Sequence, residues 1–408
     1  MGRAPFLAYG RQLLDDDDIA AVTRVLKGDW LTGGPEVAAF ERDFAALVTA
    51  RHAVACSNGT AALHMAADAA GLKSGTSAIV PSLTFLATAN CARYVGAEVV
   101  FADVDPDSGL MTPATLEAAL DRATRSGAPN PVAVLPVHLN GQTCDMVGIG
   151  ALARRHGLAV IEDACHAVGT LGEGTGAERV PTGACAHSAM AVFSFHPVKT
   201  ATSGEGGMVT TNDETLAARL KRFRNHGMER EPQLLTQREE AFAADGQVNP
   251  WYYEMAEPGY NYRLTDIACA LGRSQLAKLA RFAARRRQLA ARYDQALAAL
   301  APLVRPVAKS PWCDPVLHLY AVLIDFAAAG IDRGSVMRAL SGVGIGTQVH
   351  YLPVHRQPYY RARYGALDLP GADAYYARCL SLPFHPGLAD ADVDRVIEGL
   401  RMALGLGR

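Results

Sequence analysis

Lys199 stands in the run Phe193-Ser-Phe-His-Pro-Val-Lys199, where a short apolar stretch breaks into a loop of small residues that ends at Gly207. Upstream, a second apolar stretch ends in Ile161-Glu-Asp-Ala-Cys-His166. A lysine amine condenses with an aldehyde to a Schiff base, and an aspartate can keep a pyridine nitrogen protonated so that the ring accepts electrons. Those two residue types are what pyridoxal phosphate (PLP) chemistry needs. A lysine bordered by Gly204, Gly206 and Gly207 has little reason to be a surface charge, and near a cofactor its pKa is expected to fall. Asp163 suits a helix cap as well as a pyridine partner. His166 is placed to pack over a ring or to contact its hydroxyl, and Ser194 is placed to reach a phosphate from the lysine's own strand.

Two further segments fit the same chemistry. Ser57-Asn-Gly-Thr60 follows one apolar run and opens a helical pattern, Ala61 to Ala70. Backbone NH groups at such a helix start, backed by the hydroxyls of Ser57 and Thr60, would cradle a phosphate, although Ser-Asn-Gly also makes an ordinary turn and cap. Phe85 follows the next apolar run; it could stack on a planar ring or belong to the core.

The elements that must position these residues alternate. Apolar runs at 52–56, 77–80, 98–102, 132–137, 158–161, 189–195 and 207–211 are separated in several places by helical stretches at 61–70, 113–123 and 147–156. That rhythm predicts an α/β fold with a mostly parallel sheet covered on both faces. Parallel sheets present ligands beyond the carboxyl ends of their strands, where each candidate residue falls. The acidic run Asp15 to Asp18 reads as a solvated helix start. Residues 229–247 form a polar insertion followed by Trp251-Tyr-Tyr253, a long loop. A long helix is expected from Thr265 to Leu300, with Arg285, Arg286 and Arg287 as a solvated face. The boundary between a large domain, 1–260, and a smaller C-terminal α/β domain, 261–408 with its long linking helix, is placed there.

A chain of 408 residues suggests two domains. A net charge of -2 gives no case for nucleic acid or an anionic membrane, and no apolar stretch is long enough to span a bilayer. The 8 cysteines contain no CxxC pair, which speaks for reduced thiols and against a disulfide framework or a metal site. Met1-Gly-Arg-Ala-Pro-Phe6 lacks an apolar signal core, so the expected address is cytoplasmic. A nicotinamide oxidoreductase would need GxGxxG after its first strand; the glycines at 172, 174 and 176 lie in a polar loop instead. A fold-retaining regulator or scaffold is disfavoured because every catalytic residue type is present and no DNA-binding appendage is.

The segments SNGTAALH, EDACHAVGT, SFHPVKT, GEGGMVTTND and GYNYRLTDIACALG resemble the DegT/DnrJ/EryC1/StrS sugar aminotransferases, fold-type-I PLP transferases, over nearly the whole chain. The resemblance implies that Lys199 carries the Schiff base, that Asp163 pairs with the pyridine nitrogen, and that His166 lies against the ring with Phe85 stacking. It implies that Gly59, Thr60 and Ser194 hold the phosphate, and that in a homodimer with shared sites Asn261 reaches the partner's phosphate. Relatives with histidine in place of the lysine are dehydratases, so lysine at 199 points to transamination. The segments Tyr9-Gly-Arg-Gln12, Asp29-Trp-Leu-Thr32, 250–255 and 348–355 look most like the pseudaminic-acid branch. That branch implies amino transfer from glutamate to C4 of a UDP-linked 4-keto-6-deoxy-N-acetyl sugar. Tyr9, Asp29, Trp30, Leu31, Thr32, Gln348, Val349, His350 and Tyr351 would then line the nucleotide-sugar pocket. Branches that make dTDP-, GDP- or UDP-bacillosamine-type amino sugars share the core motifs.

Overall fold

The computed structural model describes residues 5–176 and 178–407; Met1–Ala4, the start of the stretch that lacks an apolar signal core, lies outside them. Among the described residues no helix is long and apolar enough to cross a membrane.

A seven-stranded sheet carries the larger part of the molecule. Across it lie His52–Cys56, Gly207–Thr211, Met190–Ser194, Ala159–Asp163, Asn130–Val134, Thr76–Pro81 and Glu98–Ala102. Every adjacent pair is parallel except those made by Gly207–Thr211, which runs antiparallel to both neighbours. Met190–Ser194 and Gly207–Thr211 are buried at every residue, as expected of strands covered on both faces, whose apolar runs do not alternate. Such a run is the same read in either direction, so the reversed strand has no local signature. Gly207 shows why that strand must begin with glycine: a Cβ there would sit 2.3 Å from the Asn58 carbonyl oxygen.

A second, three-stranded antiparallel sheet joins Val304–Pro306, Tyr320–Ile324 and Cys379–Leu382. Its core is Leu289, Tyr293, Val322, Ile324, Val336, Leu380, Phe384, Val393 and Leu400, all buried. Leu7 belongs to the same core. The N-terminal segment is tied to this sheet's surroundings by the Leu7–Ile345 bridge and by the amide of Phe384 donating to the Tyr9 carbonyl (2.9 Å).

The single helix expected from Thr265 to Leu300 is two helices, Asp266–Ala277 and Leu279–Leu297, with a short 3-10 turn after the second. The first is capped by Thr265, whose hydroxyl accepts from the Ala268 amide. It packs on Asp16–Leu26 and Pro35–Val48, and Gly272 faces Phe40 at a distance where a Cβ would meet the ring at 2.8 Å. The second packs on Asp390–Ala403 and the small sheet. One straight axis cannot serve both cores, and the break falls at Lys278. Its ammonium pairs with Asp15 and with Asp18 (3.0 Å for Asp18). The acidic run is therefore not all solvated: Asp18 is buried and also accepts from Gln275 Nε2 at 2.8 Å.

The arginine triplet is likewise not a uniform solvated face. Arg286 is 1% exposed. Its Nη1 donates to the carbonyls of Leu317 (3.1 Å), His318 (3.1 Å) and Phe384 (3.4 Å), and the guanidinium lies over the Phe384 ring. Burial pushes its pKa down to about 10. Carbonyl dipoles, with no carboxylate, hold this cation. Arg286→Ala leaves those carbonyls unpartnered and opens a void, and should lower the unfolding free energy by roughly 3 kcal/mol, seen as a drop in the urea midpoint.

Candidate active site

A cleft of about 630 Å³ opens at the carboxyl ends of the strands. After His52–Cys56 come Asn58, Gly59 and Thr60; after Thr76–Pro81 come Thr84, Phe85 and Thr88. Ala159–Asp163 ends in Asp163, followed by Cys165 and His166, and Met190–Ser194 leads to Ser194, His196 and Lys199. The opposite wall is built by Tyr9, His318 and the segment Gln348, Val349, His350 and Tyr351. Lys199 and Asp163, far apart in the chain, line one cleft.

The helix Gly59–Ala69 points its start into this cleft. Asn58 caps it through its side chain, which accepts from the Ala61 amide at 2.8 Å. Among the described residues no acceptor meets the amides of Gly59 and Thr60. Free amides on the positive end of a helix dipole attract an anion. Gly59 is needed by its contact with Ser194: a Cβ there would lie 2.9 Å from Ser194 Cβ.

Asp163 is 6% exposed. Its Oδ2 accepts from the Thr88 hydroxyl (2.7 Å) and its Oδ1 from the Cys165 amide (3.2 Å); Thr88 is in turn 2.8 Å from the Thr84 hydroxyl. Glu162, its neighbour on the strand, faces the other side and is buried against His138 Nε2 at 2.7 Å. Asp163 alone is thus aimed at the cleft. Two neutral donors orient its carboxylate but do not neutralise it, and a cationic ring N–H would.

Burial lowers the Lys199 pKa from its usual value, an effect that Cys165 and Asp163 oppose without reversing. Among the described residues no ion pair involves its ammonium. Burial thus disfavours its charged form and favours the neutral, nucleophilic amine. Phe85 is 56% exposed, with its ring 6.0 Å from that of Tyr351. Its face is free for a planar ligand rather than packed in the core.

His166 is buried, and its Nε2 lies 3.1 Å from the Tyr351 hydroxyl. His318 was not singled out from the sequence, yet it packs on His166 at 4.6 Å between ring centres. The His350 Nδ1 pairs with the Ser381 hydroxyl at 2.8 Å. Burial above all holds His166 and His318 well below the usual histidine pKa and brings His350 to about 3. Near neutral pH this wall is uncharged. Thr88 was also missed; a helix carries it inward one turn beyond Thr84, and nothing in the local pattern marks it.

The cleft gathers Tyr9, Gly59, Thr60, Phe85, Asp163, His166, Ser194, Lys199, Gln348, Val349, His350 and Tyr351. It does not gather Asp29, Trp30, Leu31, Thr32 or Asn261. Trp30 and Leu31 are 59% and 50% exposed, and Asn261 bridges Asn225 on the surface.

The model of the DegT/DnrJ/EryC1/StrS aminotransferase family matches residues 12–401. The chain belongs to this family. It is 40% identical to the spore coat polysaccharide biosynthesis protein SpsC of Bacillus subtilis (strain 168), covering 98% of this chain and 97% of that one. Helicobacter pylori PseC, an aminotransferase of pseudaminic-acid biosynthesis, superposes with a TM-score of 0.85 at 26% identity over 98% of this chain and 99% of its own. DesI, solved with its TDP-sugar product, superposes with a TM-score of 0.82 at 33% identity over 98% and 94%. The protein is therefore a sugar aminotransferase with the fold of that family, and its cofactor is PLP. The residues present fit that group: free helix-start amides for its phosphate, an under-neutralised buried carboxylate for its ring nitrogen, and a lysine poised as the free amine.

Thr88→Val removes one charge-assisted hydrogen bond from Asp163, worth roughly 2 kcal/mol. PLP affinity, measured by titrating the cofactor-free variant, should fall by about thirtyfold. A second expectation follows from the lowered lysine pKa. In the cofactor-free protein Lys199 should acylate at a lower pH than the exposed Lys309, as read by peptide mapping after brief acetylation across a pH series.

Proposed function

We propose that the enzyme transfers an amino group from glutamate to C4 of a UDP-linked 4-keto-6-deoxy-N-acetyl sugar. The observation that carries this reading is the cleft itself. Its large-domain side presents Lys199 and Asp163, and its other wall presents Tyr9 and Gln348 to Tyr351, the segments that resemble the pseudaminic-acid branch. The superposition with PseC over almost the whole of both chains supports the choice of substrate class. The likeness to DesI, solved with a TDP-sugar product, favours a dTDP-linked keto sugar as the second reading.

In this account PLP supplies an aldehyde for the amine and a ring that withdraws electrons when its nitrogen is protonated. Asp163 keeps that nitrogen protonated, oriented by Thr88 and the Cys165 amide. The amides of Gly59 and Thr60, with the Ser194 hydroxyl, would hold the phosphate, and Phe85 and His166 would pack against the ring. Lys199 would accept a proton at its Nζ and deliver it to the carbon that receives nitrogen, a task suited to an amine whose charge is disfavoured by burial. The uncharged histidine wall excludes water and leaves Lys199 as the group that moves protons.

We also infer a homodimer with shared sites. The residues that the resemblance assigns to the site but that lie outside this chain's own cleft form one patch. Thr32 bridges Thr265, the Asp266 amide donates to the Leu31 carbonyl at 3.0 Å, and the Gly34 amide donates to Asp266 at 2.8 Å. Asn261 precedes this junction in the same segment. A surface that carries Trp30 and Leu31 at the Thr265–Asp266 junction, with Asn261 upstream of it in the chain, would complete a partner's cleft.

The direct test is amino transfer from glutamate to a panel of UDP-, dTDP- and GDP-linked 4-keto-6-deoxy sugars, with products identified by mass and NMR. The UDP-N-acetyl substrate should give the highest kcat/KM, with nitrogen at C4. A clear preference for a dTDP sugar would move the assignment to the second reading. Lys199→Ala should abolish turnover on every member of the panel, and an active variant would contradict the role given to Lys199.

A further inference from the structure

One hydrogen bond crosses the cleft. Tyr351, from the segment anchored to the small sheet by the Gln348–Ser381 bridge, places its hydroxyl 3.1 Å from Nε2 of His166, which follows the strand that ends at Asp163. The two rings are nearly parallel, at 29°. Burial first, then Asp163 and Cys165, raise the Tyr351 pKa, so the hydroxyl keeps its proton. Burial above all keeps His166 neutral, with the His318 ring packed beside it.

A neutral imidazole carries one N–H, and here its position is constrained. Nδ1 of His166 is buried and has no hydrogen-bond partner among the described residues. If Nδ1 carried the proton, a donor would be buried with no acceptor, the rarer and costlier kind of unpaired group. If Nε2 carries it, the donor meets the tyrosine oxygen and only a lone pair is left unmatched. The second arrangement has a consequence for Tyr351. Its oxygen accepts from His166, so its own hydroxyl hydrogen is free to point into the cleft.

We propose that Tyr351 is a positioning residue that holds His166 in the Nε2–H tautomer and thereby offers its hydroxyl hydrogen to a negatively polarised oxygen of whatever the cleft binds. That oxygen is the phenolic oxygen of PLP or the carbonyl oxygen of the keto sugar. The second half of the proposal rests on the function given above; the first half concerns the chain alone. Because the bond joins the small-sheet wall to the cofactor-side wall, it also registers the substrate segment 348–351 against Asp163 and Lys199.

The test begins with cofactor-free protein labelled with nitrogen-15 at histidine, with the His166 signal assigned by its loss in His166→Gln. Long-range proton–nitrogen spectra should show Nε2 protonated and Nδ1 bare in the unaltered chain, and a shift toward the other tautomer in Tyr351→Phe. A protonated Nδ1 in the unaltered chain, or an unchanged tautomer in Tyr351→Phe, overturns the first half whether or not the enzyme's substrate has been named correctly. In PLP-loaded Tyr351→Phe, a move of about one unit in the pH midpoint of the bound cofactor's visible absorbance identifies the phenolic oxygen as the acceptor. An unmoved midpoint with a lower kcat on the keto sugar, and an unchanged half-reaction with glutamate, identifies the sugar carbonyl. If neither changes, the hydroxyl donates to neither oxygen and the second half is overturned.

Discussion

A carboxylate held under the surface without a cation of its own is the constraint around which this molecule is arranged. Asp163 receives one hydroxyl and one amide hydrogen, enough to fix its direction and too little to neutralise it. The cost of an unbalanced buried charge is several kcal/mol. A protonated ring nitrogen would remove that cost, which supports the proposed pairing of Asp163 with the cofactor's pyridine. Lys199 is the complement. Burial lowers its pKa, which favours the neutral amine that covalent chemistry needs. The two groups share one cleft because the sheet delivers both from strand ends.

The wall built by His318 and residues 348–351 closes the cleft with groups that stay uncharged. His318 and His350 are held neutral by burial, and Tyr351 keeps its proton. The backbone behind this wall is fixed from below by Arg286, whose guanidinium binds the carbonyls of Leu317, His318 and Phe384. The same Phe384 amide holds Tyr9 in place through its carbonyl. A buried cation is thus used as a bracket for the wall, outside the reacting centre.

Most of the cofactor side was legible in the sequence because it is local. Ser57 to Thr60, Asp163 to His166 and Ser194 to Lys199 each follow a strand directly, and parallel topology brings strand ends together without further information. Thr88 and His318 were not legible. One is carried inward by a helix and the other by the bend before the strand Tyr320–Ile324, so only the folded chain shows that they touch Asp163 and His166. The direction of Gly207–Thr211 left no trace, since its apolar run reads identically both ways. Of three adjacent arginines, only tertiary packing decides which one is buried. The acidic run near Asp15 was read as solvated for the same reason: its partner Lys278 lies at a helix break that periodicity alone does not reveal.

The covalent role of Lys199 can be read directly. PLP-loaded enzyme reduced with borohydride, digested and mapped by mass spectrometry should carry the reduced cofactor adduct on the peptide containing Lys199 and nowhere else. An adduct on another lysine, or none in protein that binds the cofactor, would contradict the account.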